Sequence, residues 1–168
     1  MLHTRRIKRT LVFLDREYNR HISSYEQERP VIFSKLSVLE LSGWVEEGFD
    51  EIARNCVRRK RRTYRSRDVL EDKIKATYGF TYLPQARELL AVAIGTVRLL
   101  EFEKALERDG SLTLLKSELG TLNRQRRSAA HTFTKGTTST FDSPSVTLAR
   151  FFRVEPVLQK LWQMGGSE

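Results

Sequence analysis

Apolar residues recur at intervals of three and four along most of the chain, and no clean two-residue alternation sits between hairpin dipeptides. That pattern predicts helices and no sheet, hence an all-α fold. The first helix is expected over about 4–22, with Ile7, Leu11, Leu14, Tyr18 and Ile22 on one face. Pro30 separates it from a second, about 31–60, which turns Val38, Leu41, Val45, Phe49, Ile52 and Cys56 inward. Gly43 and Gly48 fall inside that helix, where glycine is expected beside a closely packed neighbour. A short third helix fits 67–78, opened by Asp68 with Glu71 three residues on and closed by Gly79.

The fourth helix is expected to start at Pro84 and to continue to about 108. Its run of Leu89, Leu90, Val92, Ala93, Ile94, Val97, Leu99 and Leu100 is the most apolar in the chain and predicts a central position. A fifth begins at Ser111 and carries Leu112, Leu115, Leu119 and Leu122 toward His131. The Thr-, Ser- and Gly-rich stretch 134–143 reads as a loop. Asp142-Ser143-Pro144 reads as a helix start, and the last helix, about 146–164, should bend or restart near Pro156. With a fraying tail at 165–168, the expectation is one domain over 1–168, a single bundle of five to six helices.

Composition supports a globular chain. Hydrophobic residues make up 39% and charged residues 30% of 168, enough to bury a core without staples. One cysteine excludes an internal disulfide, and with three scattered histidines it supplies no zinc quartet; no metal or cofactor is called for. The basic start runs into only Leu11-Val12-Phe13-Leu14, too short for a signal or a membrane span, so a cytoplasmic location is expected. Charge changes the picture more. The net charge is +9, and Arg54, Arg58, Arg59, Lys60, Arg61, Arg62, Arg65 and Arg67 form a block without an acid. Without those eight, 22 basic residues face 21 acidic ones, so the excess reads as one local block suited to a polyanion.

One cation is out of place. On the fifth helix Arg126 falls about 20° from Leu119 and about 40° from Leu122, in the middle of the inward stripe. A guanidinium there needs an anion, which a carboxylate of the second helix (Glu46 or Glu47), a second subunit or a phosphate would provide. His131, suited to proton transfer near neutral pH, follows five residues on, beside the small Ala129 and Ala130. On a regular helix Arg126 and His131 lie about 140° apart, so they converge only if the helix distorts or ends between them, or a partner subunit completes the site. Arg127 shares the face of His131.

The stretch Leu122-Asn123-Arg124-Gln125-Arg126-Arg127-Ser128-Ala129-Ala130-His131 resembles the signature of the HEPN superfamily, helical domains marked by Arg, four to six residues, then His late in the bundle. The segment from Lys35 to Glu46 is similar to the second helix of small stand-alone prokaryotic members. The residue after the motif arginine, ordinarily Asn or another small polar group, is here Arg127, so either arginine can be the motif residue; the four-residue gap and the helical phase favour Arg126. The resemblance implies a HEPN-like bundle acting as a homodimeric, metal-independent endoribonuclease of a toxin–antitoxin or phage-defence system. His131 would act as base or acid, Arg126 would clamp the phosphate, Arg127 and the block residues Arg58, Arg59, Lys60, Arg61 and Arg62 would support the RNA, and Glu46 would orient Arg126. Two other readings use the same features: a non-catalytic RNA-binding bundle, and a homodimeric module docking an acidic, antitoxin-like partner.

Overall fold

The computed structural model describes residues 2–23, 28–59, 64–131 and 141–165; for 59, 64, 65 and 131 the description stops at the backbone. The described residues form seven α-helices and no strand: α1 Thr4–His21, α2 Glu28–Arg59, α3 Tyr64–Ala76, α4 Arg87–Ile94, α5 Thr96–Glu107, α6 Ser111–His131 and α7 Pro144–Met164. None of them is long and apolar enough to cross a membrane.

The central helix is α2, not the apolar run after Pro84. It touches α1, α3, α4, α6 and α7. Its 32 residues extend about 48 Å, and Val38, Leu41, Val45, Phe49, Ile52 and Cys56 are all buried as their spacing predicts. Gly48 matches the expectation of close packing, since a Cβ there would meet Leu158 and Leu2 at 3.6 and 3.8 Å, whereas Gly43 faces open space. Pro30 lies in the first turn of α2, where its missing N–H costs nothing. On α1 the inward stripe stops at Tyr18, because the helix ends at His21 and Ile22 is exposed.

The expected helix 84–108 is two helices. Regular helix begins at Arg87, after an irregular turn Tyr82–Ala86, and stops at Gly95, whose φ of +86° is open to glycine and strained for other residues. The chain turns back there, so Glu103 on α5 accepts from Arg87 Nε at 2.7 Å and from the Tyr82 hydroxyl at 2.9 Å. Burial and the Glu103 contact raise the Tyr82 pKa. Val92, Val97 and Leu100 are exposed as a result, although the same run buries Leu89, Leu90, Ala93, Ile94 and Leu99. The third helix also starts earlier than expected, at Tyr64, which leaves Asp68 inside it.

α6 and α7 run antiparallel and are joined by charge. Buried Arg150 donates to Glu118 and Asp142, both at 2.8 Å, and Arg153 reaches the other Glu118 oxygen at 2.5 Å. Burial works against a charged Glu118, but the Arg153 and Arg150 hydrogen bonds prevail and hold it below the ordinary carboxylate range. At the head of α7 the Ser143 hydroxyl accepts from the Val146 N–H, and Pro144 occupies the first turn as expected. No restart occurs at Pro156, since α7 runs to Met164 with that proline inside it.

Candidate nucleic-acid interface

Leu112, Leu115, Leu119, Leu122 and Ala129 of α6 are buried, and Arg126 lies on the same stripe between the last two. It is not enclosed as the stripe predicts. Its side chain is 36% exposed, because its long apolar stem carries the guanidinium from the core to the rim. There Nη2 donates to Glu46 Oε2 at 3.3 Å, and the guanidinium carbon lies 5.7 Å from the centroid of the buried Phe80 ring. The other Glu46 oxygen accepts from the Gly79 N–H at 2.8 Å, which ties α2, the segment after α3 and α6 to one carboxylate. Glu46 is thus the partner that the sequence suggests for Arg126; Glu47 is exposed and makes no such contact.

Other paired arginines are held more tightly. Arg54 donates to Glu71 through Nε and Nη2 at 2.8 and 3.0 Å, and Arg87 grips Glu103 through two nitrogens. Arg126 has one long bond and a ring beneath it, so among the described residues only one of its five donors is taken by a carboxylate. One turn from Glu46 on α2, Asp50 is half-buried; burial, opposed by Arg54 and reinforced by Glu46, pushes its pKa up to about 6.

The backbone of α6 is helical through His131, so no distortion brings positions 126 and 131 together within one chain. The His131 side chain lies outside the described atoms, and Arg127 is exposed between the two positions. The basic block divides. Lys60, Arg61 and Arg62 lie outside the described residues, as do the side chains of Arg59 and Arg65. Arg54 is taken up by Glu71 and Glu51, and Arg58 reaches Glu51 at 3.5 Å; only Arg67 is exposed without a carboxylate among the described residues. The Arg54 hydrogen bonds hold Glu71 below the ordinary carboxylate range. Arg58 is also about 18 Å along α2 from Glu46.

Charge counting along the sequence missed α1, which carries six basic residues against two acidic ones between Thr4 and His21. The signal was present in their helical spacing, since Arg5, Arg9, Arg16 and Arg20 repeat on one face. Among the described residues no group of His, Cys, Asp and Glu is arranged to hold a metal ion. No family model matches this chain, and neither a curated protein nor a solved structure matches it.

Proposed function

We propose that the protein is a HEPN-type, metal-independent endoribonuclease that works as a homodimer, with Arg126 and His131 as its catalytic residues. The observation that carries this reading is Arg126 itself, a guanidinium about a third exposed and steadied by Glu46 and Phe80, with one of its five donors on a carboxylate among the described residues, one and a half turns before His131. In the reaction a base takes the proton of a ribose 2′-OH, whose oxygen attacks the adjacent phosphorus. The P–O5′ bond breaks, an acid protonates the departing O5′, and the products carry a 2′,3′-cyclic phosphate and a 5′-OH. Cations neutralise the charge that grows on the phosphate oxygens, the part assigned to Arg126 with Arg127 beside it. Two subunits supply the base and the acid from two His131 side chains, which answers the roughly 140° between the positions on an unbroken α6. A toxin or phage-defence role goes with the resemblance to that superfamily.

In EDTA the purified protein should cut RNA to cyclic-phosphate ends, and His131→Ala should stop cleavage while leaving RNA binding nearly intact. Undiminished cleavage by that variant would overturn the reading. The unbroken α6 also favours a second reading, a non-catalytic RNA-binding bundle in which the Arg126–Glu46 pair is only a tie between helices. In that case RNA binds, weakens with salt and is never cut.

A further inference from the structure

We propose that the outer face of α1 is a docking strip for single-stranded RNA, built from residues other than Arg126 and the basic block; its ligand rests on the RNA-directed reading above. At about 100° per residue, Arg5, Arg16, Arg9 and Arg20 fall within about 60° of one another, opposite buried Ile7, Leu11 and Leu14. They extend about 22 Å along the helix. Asp15 and Glu17, the acids of α1, lie on its flanks, and the Glu17 carboxylate engages Arg20, at 2.5 Å. Among the described residues Arg5, Arg9 and Arg16 have no carboxylate partner. A shallow groove of about 470 Å³ is lined by Arg5, Lys8, Arg9, Val12, Phe13 and Arg16, with no acid among them.

Phe13 decides what such a groove takes. It is 56% exposed in the row of guanidinium groups, where a lone ring gains nothing from the core but offers a face on which a base can stack. Lys8 extends the cationic surface to the exposed Phe152 ring of α7, 5.3 Å from its centroid. Forked guanidinium groups one or two turns apart suit the phosphates of an extended strand. An anionic lipid surface fits less well, because the apolar stripe of α1 that would enter it is already buried in the bundle, leaving Val12 and Phe13 alone among cations.

The test measures binding of a fluorescent 2′-O-methyl oligouridine, which 2′-OH attack cannot cut, to the full chain as salt is varied. Arg5→Gln/Arg9→Gln/Arg16→Gln should lower affinity about tenfold and reduce the slope of log K against log salt by about 2, at about 0.7 per phosphate contact on a single strand. Phe13→Ala should lower affinity about fivefold with the slope unchanged, and single Arg9→Gln should remove about 0.7 of the slope, so the strip remains testable if the triple variant fails to fold. Unchanged affinity and slope in Arg9→Gln and Phe13→Ala would overturn the strip while leaving cleavage through His131 intact. Binding lost in these variants of a protein that never cuts RNA would support the strip and remove the ribonuclease reading. No RNA binding, with binding to phosphatidylserine vesicles instead, would overturn both.

Discussion

The outer face of α1 and the polar seams of α2 with α3 and α6 and of α6 with α7 are both rich in arginine, yet they differ in what each arginine meets. Along the seams Arg54, Arg126 and Arg150 each contact a carboxylate from another helix. On α1, Arg5, Arg9 and Arg16 meet none among the described residues. Paired arginines hold helices together, whereas unpaired ones leave their field available to a ligand. A sum over the sequence treats the two alike, and for that reason it assigned the net charge to the one region where acids across the fold take part of it back.

The sharpest way to break this contrast is to remove a carboxylate from a buried seam. Glu118→Ala leaves Arg150, with a side chain 6% exposed, Asp142 as its one carboxylate among the described residues, and should cost about 3 kcal/mol in urea unfolding. At the rim the penalty is smaller. Glu46→Ala should cost about 1 kcal/mol or less, because both partners are about a third exposed, yet it should slow RNA cleavage about tenfold if the carboxylate orients Arg126. A loss of stability without any change in cleavage would make that pair a tie and nothing more.

Asp50 gives a smaller, pH-dependent signal. Its folded pKa, about 6, lies above the ordinary 3.8, so the folded state binds more protons between those values and loses stability as pH rises through them. Asp50→Asn should therefore raise the melting temperature by about 2 °C above pH 6, with the gain gone below about pH 4. The smallest effect belongs to α1, where Arg9→Gln should change stability by no more than about 0.5 kcal/mol at any salt concentration. A larger loss would mean that Arg9 holds structure and would erase the distinction between the regions.

Helical phase was legible wherever one face is buried along its whole length: α6 begins at Ser111, α7 opens at Ser143-Pro144, and the inward residues of α2 are those its period selects. Glu46 was legible as a partner because the stripe demanded an anion at Arg126. Periodicity describes neighbours three and four residues away, so it missed that Arg126 rises to the rim and that Glu71 reaches Arg54. The turn at Gly95 was hidden for a related reason. Apolar residues continue on both sides of it, and only packing of the folded chain selects the positive φ.

That turn has an effect at a distance. In one continuous helix Arg87 and Glu103 would stand about 24 Å apart; bent at Gly95, the two arms close on themselves like a clasp, with Tyr82 inside and the Lys116 ammonium 5.5 Å above its ring. Hinge and clasp are then a single cooperative element. Stiffening the hinge with a side chain would loosen the Arg87–Glu103 pair, eight residues away in either direction, and cutting that pair would free the hinge, so neither change is additive with the other.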